Sequence, residues 1–178
     1  MTTMRAAMID QYGAPEVLQL RDAPIPEVPA GAIRIRATAA SVNPLDWKIR
    51  DGSIQAFLPL ELPVILGRDA AGVVEAVGEG VQDVALGDRV FGLGTAIGAY
   101  AEHVVLHAWA RTPAAWTDAE AAAMSLTGVT AVRGLRELGP IDAVLVVHGA
   151  GGGVGSAAAS IAIAQGARVV GTARPADH

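Results

Sequence analysis

Hydrophobic positions in the first two thirds of the chain come in short β-branched runs, which glycine, proline and aspartate separate. Between Ile33 and Ala39 the apolar residues alternate with Arg34, Arg36 and Thr38, which is the period of a half-buried strand. Frequent glycines in the second half of this region suit a small, sharply bent β-barrel. The pattern predicts the strands Arg5–Ile9, Val17–Arg21, Ile33–Ala39, Gly72–Val77, Arg89–Gly92 and Tyr100–Leu106.

A helical pattern follows. Thr117, with Glu120 three residues later, is a capping-box signal for a helix that starts there. Gly128 predicts a break, after which a second helix runs over Ala131–Leu138 and ends at Gly139. The change of pattern predicts two domains, at residues 1–115 and 116–178.

The most specific pattern lies between Ala143 and Thr172. The β-branched run Val144–Val147 breaks into the glycine cluster Gly149–Gly155, and an alanine-rich helical segment leads to a second run at Val169–Val170. Strand, tight glycine turn, helix and strand is the order of a nucleotide-binding βαβ unit. Glycines let a diphosphate approach the backbone at a helix N-terminus. A glycine-rich turn in an ordinary α/β core stays the alternative.

Composition narrows the function classes. The formal net charge is −5 and no block of lysine or arginine occurs, which argues against a nucleic-acid or membrane partner. The absence of cysteine excludes disulfides and thiolate chemistry. Residues 143–167 carry no formal charge and could span a bilayer, but they include glycines and His148, so we interpret them as buried strand and helix. Without a signal-peptide pattern at the N-terminus, we expect a cytoplasmic protein.

Several motifs together resemble the medium-chain dehydrogenase/reductase superfamily, in its zinc-free quinone oxidoreductase branch. They are Ser41–Arg50 (SVNPLDWKIR), Gly67–Val74 (GRDAAGVV), Gly87–Gly92 (GDRVFG), Gly98–Glu102 (GAYAE), Gly128–Ala131 (GVTA) and the glycine turn. The resemblance implies an α/β protein with a co-chaperonin-like β-barrel, which carries the substrate site, followed by a partial Rossmann unit, which binds a nicotinamide cofactor. It covers the first half of such an enzyme.

Zinc-dependent relatives hold their metal through residues that this chain lacks. Asn43 stands where they have cysteine, and Gly67-Arg68-Asp69 stands where they have Gly-His-Glu. His103 and His107 are four residues apart on a predicted strand rather than on a helix. We therefore expect no metal.

Lys48 and Asn43 are the predicted catalytic residues. Without zinc, the negative charge that develops on a carbonyl oxygen during hydride addition must be met by hydrogen-bond donors or a proton source. Lysine supplies a charge and a proton, and asparagine a neutral donor that could also hold the nicotinamide ribose. Alternatively, Lys48 is a solvated helix lysine and Asn43 a turn former before proline.

The glycine turn is predicted to hold the cofactor. Asn43 joins this set, and by resemblance Thr130 lies near the nicotinamide, although it could be an ordinary helix threonine. The first acidic residue after Gly149 is Asp177, which lies beyond the second strand. That strand ends instead in Thr172, and Arg174 follows; a hydroxyl and an arginine suit the 2′-phosphate of NADPH. Arg174 could instead be an ordinary loop arginine. The predicted cofactor-binding residues are Asn43, Thr130, Ala150, Gly152, Gly153, Val154, Gly155, Thr172 and Arg174.

Two functions remain open. The first is an NADPH-dependent, zinc-free reductase of a quinone or an α,β-unsaturated carbonyl, in which Lys48 or water protonates the product. The second is a non-catalytic fragment or binding module of that family. A two-stranded parallel unit leaves a sheet face uncovered, so we also expect low stability or association into a homo-oligomer.

Overall fold

The structure, a computed structural model, describes residues 2–94, 97–141 and 143–175. The chain divides into two compact units, Met1–Ala123 and Met124–His178. The predicted domain boundary at residue 115 stays a prediction. Along the chain, the division between the two units falls within a helix. Asp177, used in the cofactor argument, lies outside the described residues.

Antiparallel sheets form the N-terminal unit. A three-stranded sheet has the order β2-β1-β4 and a five-stranded sheet the order β7-β3-β5-β6-β8. The six predicted strands are confirmed with shifted ends, whereas the short strands β4 and β8 were not predicted. An isolated bridge pairs Ala6 of β1 with Ala101, just before β7, and in the described residues the two sheets are open. The strands are β1 (Thr3–Ile9), β2 (Gln19–Pro24), β3 (Ile33–Ala40), β4 (Val64–Ile65), β5 (Asp69–Val77), β6 (Arg89–Leu93), β7 (His103–Leu106) and β8 (Ala108–Arg111).

Two of the apolar clusters in this unit support the sheet and the helix that bears the candidate residues. The larger lies on the five-stranded sheet and includes Ile33, Ile35 and Leu106, each fully buried. Full burial of such a side chain contributes about 1.5–3 kcal/mol. In the second cluster Ile49, on helix α1 (Pro44–Asp51), packs with Ile9 and Leu66. The second cluster therefore fixes the helix that carries both predicted catalytic residues.

Helix α2 (Asp118–Leu138) corrects one prediction and confirms another. The capping box is present: Thr117 N–H donates to Glu120 Oε2 at 2.8 Å, and Glu120 N–H donates to Thr117 Oγ1 at 3.2 Å. The break predicted at Gly128 is wrong, because the helix is continuous. An interior glycine costs about 1 kcal/mol relative to alanine. The burial of Ala131 and Leu135 beyond Gly128 outweighs that cost.

We expect Gly134→Ala to stabilise the protein by about 0.5–1 kcal/mol, because it removes backbone entropy from the unfolded chain. Gly134 is an exposed interior residue of α2, and an added methyl would have no described atom within 4 Å. Urea denaturation measures the change. The matched control, Ala123→Gly at an exposed position of the same helix, should destabilise by a similar amount. Destabilisation by Gly134→Ala would contradict the prediction.

The C-terminal unit contains the predicted strand, glycine turn, helix and strand. Strand β9 (Val144–His148) pairs in parallel with β10 (Arg168–Thr172), and α3 (Gly153–Ala164) connects them. The alanine-rich helix buries Ala157 and Ala162. The uncovered sheet face expected of a two-stranded unit is present, with the exposed side chains Val144, Val146 and Val170. Association through that face stays a prediction.

No helix in the described part of the chain is both long and apolar enough to cross a membrane.

Candidate functional site

The glycine turn joins the carboxyl end of β9 to the N-terminus of α3. Gly149 begins it with a φ of +73°, and Gly152 caps the helix in an extended conformation. The first bond of the helix runs from Ser156 N–H to the Gly152 carbonyl at 2.8 Å. The N–H groups of residues 153–155 precede that bond, and these are the donors that a helix N-terminus offers to an anion. No acidic side chain lies in the first turn of α3.

Close packing of backbone on backbone shapes this turn. A Cβ built on Gly155 would lie 2.2 Å from the Gly149 carbonyl oxygen, closer than any real contact. The helix start therefore packs directly on the turn, which is the role of the last glycine in dinucleotide-binding turns. Ala150 fits at the position of the usual first glycine, and its N–H donates to the Thr172 carbonyl at 2.8 Å.

The end of β10 lies beside the turn. In the parallel register Thr172 is opposite His148, so both strands end at the same edge of the sheet. Thr172 Oγ1 is 3.2 Å from His148 Nδ1 and accepts from Gly149 N–H at 3.3 Å. Arg174 follows two residues later with an exposed side chain. The structure thus brings Ala150, Gly152–Gly155 and Thr172 to one edge of this unit, and Arg174 follows Thr172 in the chain.

Thr130 lies in the middle of α2 and is exposed. Its Oγ1 donates to the Leu126 carbonyl at 2.7 Å, the back-bond that helix threonines commonly make. Its contact with a nicotinamide stays a prediction.

Asn43 caps helix α1 in the N-terminal unit. Its backbone N–H donates to Asp46 Oδ2 at 2.6 Å, and its own side chain faces the Asp46 N–H, so that the two residues form a capping box. The Asp46 N–H also donates to the main-chain carbonyl of Asn43 at 2.9 Å, and Pro44 occupies the first helical position. The NH2 group of Asn43 makes further contacts outside the helix.

Those contacts are with Ser41 and Asp69. Asn43 Nδ2 donates to Ser41 Oγ at 3.1 Å and to Asp69 Oδ1 at 2.9 Å. Ser41 Oγ in turn donates to Asp69 Oδ1 at 2.7 Å. Asp69, the first residue of β5, is fully buried, and only 9% of Asn43 is exposed. The NH2 group of Asn43 is therefore bonded within the protein, and its oxygen, which also faces the Asp46 N–H, is the end of the amide that can accept from a ligand.

Lys48 lies one turn further along α1 and is exposed. Its Nζ is 5.6 Å from the centre of the Trp47 ring, a cation–π distance, and 44% of Trp47 is exposed. In the described ranges of the chain Lys48 makes no ion pair. An exposed ammonium can donate a hydrogen bond or a proton to a bound molecule.

Asp46 and Tyr100 form a second buried polar pair. Only 3% of Asp46 is exposed, and neither its Oδ1 nor the Tyr100 hydroxyl has a hydrogen bond of good geometry to any described residue. Burial, helped by the charge of Asp69, raises the pKa of Asp46 above its usual range. Burial and the two carboxylates also raise the pKa of Tyr100. The Tyr100 ring packs on Gly67, where an added Cβ would lie 2.3 Å from Tyr100 Cδ1.

We expect Asp46→Asn to gain stability over the wild type as pH rises from 3 to 7. A carboxyl with a raised folded pKa contributes stability below its ordinary pKa of 3.8 and loses it as pH rises through the folded value. The amide removes this loss and keeps an acceptor for Asn43 N–H. Urea denaturation at each pH measures the difference from wild type.

The control is Asp51→Asn on the same helix. Hydrogen bonds from the backbone and side chain of Ser53 lower the pKa of Asp51, so its contribution has the opposite sign and is lost as pH falls. The two variants should diverge from wild type in opposite directions, and divergence in the same direction would contradict the assignment for Asp46.

Comparisons with known proteins agree with this geometry. The family model of the alcohol dehydrogenase GroES-like domain matches residues 29–115. The human quinone oxidoreductase is 39% identical over 175 residues, which are 96% of this chain and 53% of the relative. The quinone oxidoreductase structure from Coxiella burnetii gives a TM-score of 0.88 at 34% identity, over 99% of this chain and 58% of that one. This chain is homologous to the quinone oxidoreductases.

Similar solved structures include complexes with a cofactor. The Escherichia coli quinone oxidoreductase complexed with NADPH gives a TM-score of 0.80 at 36% identity, over 97% of this chain and 54% of that one. The resemblance to the medium-chain dehydrogenase/reductase superfamily and the predicted fold class are confirmed. The chain spans about half the length of the curated quinone oxidoreductases that it matches.

Among the described residues of this quinone oxidoreductase homologue, no three His, Cys, Asp or Glu side chains group in a way that could hold a metal ion. His103 Nδ1 is instead 2.7 Å from Glu75 Oε1, and Arg34 Nε donates to the same oxygen at 2.6 Å. His103 therefore belongs to a polar cluster on the sheet.

Sequence reasoning missed Ser41, Asp69 and Tyr100 as members of the polar network. Their separation along the chain hides them, because β3 and β5 must pair before Ser41 and Asp69 can meet. For the two catalytic candidates, the composition of the chain also sets the residues apart. Lys48 is the only lysine and Asn43 the only asparagine of the chain.

Proposed function

We propose that the chain carries the substrate-binding part and the diphosphate-binding turn of an NADPH-dependent reductase of quinones or α,β-unsaturated carbonyls. The observation that carries the proposal is the contact between Gly155 and the Gly149 carbonyl, which leaves a helix N-terminus open to an anion. The homology to quinone oxidoreductases supports the same reaction class.

The start of helix α3 and the end of β10 have separate parts in this proposal. The N–H groups of Gly153, Val154 and Gly155 bind the diphosphate. Thr172 is held at the strand end by Gly149 N–H, and Arg174 binds the 2′-phosphate of the adenosine ribose, which distinguishes NADPH from NADH. The turn and strand end, from Gly149 to Pro175, contain no aspartate or glutamate that would repel that phosphate.

Bound NADPH supplies the hydride for the reduction. The product then needs one proton, and its oxygen carries negative charge until that proton arrives. We assign this proton transfer to Lys48, the exposed ammonium beside Trp47. Asn43 accepts a hydrogen bond from a ligand hydroxyl through its side-chain oxygen.

Fluorescence titration with NADPH tests the binding step. We expect saturable binding with a Kd between about 1 μM and 1 mM, and binding of NADH weaker by about tenfold or more because Arg174 loses its phosphate. Oxidation of NADPH is then followed by the loss of absorbance of the reduced nicotinamide, with a benzoquinone and an enone as substrates. The Escherichia coli quinone oxidoreductase serves as a positive control.

The outcomes separate the two functions left open by the sequence. Binding with turnover supports the reductase. Binding without turnover on any quinone or enone favours a cofactor-binding module. No saturable binding of NADPH would reject both for this chain.

A further inference from the structure

The orientation of the Asn43 amide has a consequence for what this residue can bind. A side-chain amide has a donor end and an acceptor end, and its neighbours decide which end faces a ligand. At Asn43 the neighbours are Ser41 and Asp69, and both lie on the Nδ2 side.

Asp69 decides the orientation. Its Oδ1 accepts from Asn43 Nδ2 at 2.9 Å and from Ser41 Oγ at 2.7 Å. If the Asn43 amide were rotated by half a turn, its oxygen would face that carboxylate oxygen, and two acceptors would meet in a fully buried place. Ser41 supports the same orientation, because its single hydroxyl hydrogen is already donated to Asp69 and only its lone pairs can face Asn43.

We propose that Asp69 is a positioning residue that holds the Asn43 amide with its NH2 group turned inward, so that Asn43 can only accept a hydrogen bond from a bound molecule. The partner of Asn43 is then a hydroxyl or an N–H group, as on a sugar or an amide. A substrate carbonyl is excluded as its partner, because a carbonyl needs a donor.

Main-chain hydrogen bonds around Asp69 and Asn43 keep the orientation of the Asn43 amide fixed. Asp69 begins β5, where it pairs with Leu93 of β6, and the Ser41 N–H donates to the Asp69 carbonyl at 3.3 Å. The backbone around Asn43 is fixed in turn by Asp46. Main-chain bonds thus hold both partners, and the amide cannot rotate without breaking two charge-assisted or hydroxyl hydrogen bonds.

The orientation of the Asn43 amide does not depend on the proposed function. The inference about which group of a bound molecule Asn43 contacts rests on that function. The chain offers a direct readout, because Asn43 is its only asparagine. Selective labelling of asparagine with ¹⁵N in the side chain gives a single NH2 pair in an NMR spectrum of the intact chain.

In the wild type we expect nuclear Overhauser contacts from the Asn43 NH2 hydrogens to the Ser41 β-hydrogens. We also expect solvent exchange of both hydrogens to be slower by about tenfold or more than in the urea-unfolded chain. An NH2 pair without these contacts, exchanging as in the unfolded chain, would overturn the proposal without any variant.

Asp69→Ala tests the role of the carboxylate, since alanine removes both carboxylate oxygens and adds no second asparagine to the spectrum. We expect the folded variant to lose the contacts and most of the exchange protection. A folded variant that keeps both would show that Asp69 has only a structural role. Ser41→Ala is the milder second variant, and it should release one NH2 hydrogen while the other stays protected. Asp51→Ala, on the exposed side of α1, is the control that should change neither and adds no asparagine.

Titration of the labelled wild type with NADPH separates this inference from the proposed function. Binding that leaves the NH2 contacts and exchange unchanged supports an acceptor role. Binding that abolishes them means that the amide has turned to donate, which overturns the proposal. If no NADPH binds, the proposed function fails, and the unliganded contacts still decide the orientation.

Discussion

Gly155→Ala is expected to destabilise the C-terminal unit by about 1–3 kcal/mol and to abolish saturable NADPH binding. The new methyl would lie 2.2 Å from the Gly149 carbonyl oxygen, which belongs to the backbone and cannot rotate away as a side chain would. Either the helix start or the turn must move. In both cases the N–H groups of residues 153–155 no longer converge on one anion.

Hydrogen exchange measures this effect better than a global melt, because the units can unfold separately. The amides of β9, α3 and β10 should lose protection, while those of the five-stranded sheet keep it. Gly153→Ala is the matched control for stability: in the same turn, its methyl would meet only the Thr127 side chain, at an ordinary 3.6 Å. Equal loss of protection in the two variants would show that steric contact with Gly149 is not the cause.

The sequence pattern predicts this region well because its signals are local. Val144–Val147, the glycine cluster and Val169–Val170 lie within thirty residues, and each element is specified by its own residues. The capping box of α2 is local in the same sense and is confirmed. Gly128 shows the limit of local reasoning. A single glycine is a weak breaker, and burial of the residues beyond it decides whether the helix continues.

The polar network around Asn43 could not be predicted from the pattern for the opposite reason. Ser41 and Asp69 are 28 residues apart, and the bond between them depends on the pairing of β3 with β5. Tyr100 is further still along the chain and reaches Asp46 only because Gly67 leaves room for its ring. Motif resemblance marked these segments as important but did not say which of their side chains touch.

The same network changes the roles of the two catalytic candidates. The sequence suggested two donors, Lys48 and Asn43, for the charge on a substrate oxygen. In the structure the Asn43 hydrogens are used by Ser41 and Asp69, whereas Lys48 is exposed beside Trp47. We therefore assign the donor role to Lys48 alone and an acceptor role to Asn43.

If that assignment is correct, Lys48→Met should lower kcat for quinone reduction by about 10²–10⁴-fold, the usual loss when a positioned proton donor is removed. The Kd for NADPH should stay unchanged, since the glycine turn is not altered. Stopped-flow oxidation of NADPH at saturating quinone measures kcat, and fluorescence titration measures Kd. Methionine keeps most of the apolar length of lysine, so packing against Trp47 changes little.

Lys48→Arg separates the charge of the side chain from its proton. Arginine keeps the positive charge but does not release a proton near neutral pH. If Lys48 acts as the acid, Lys48→Arg should be nearly as slow as Lys48→Met, and a hydroxylated buffer or ammonium should rescue Lys48→Met in part. If Lys48 acts through its charge alone, Lys48→Arg should keep most of the activity. Arg50→Met removes a cation from the same helix and is the control; a loss equal to that of Lys48→Met would show that net charge, rather than the position of Lys48, sets the rate.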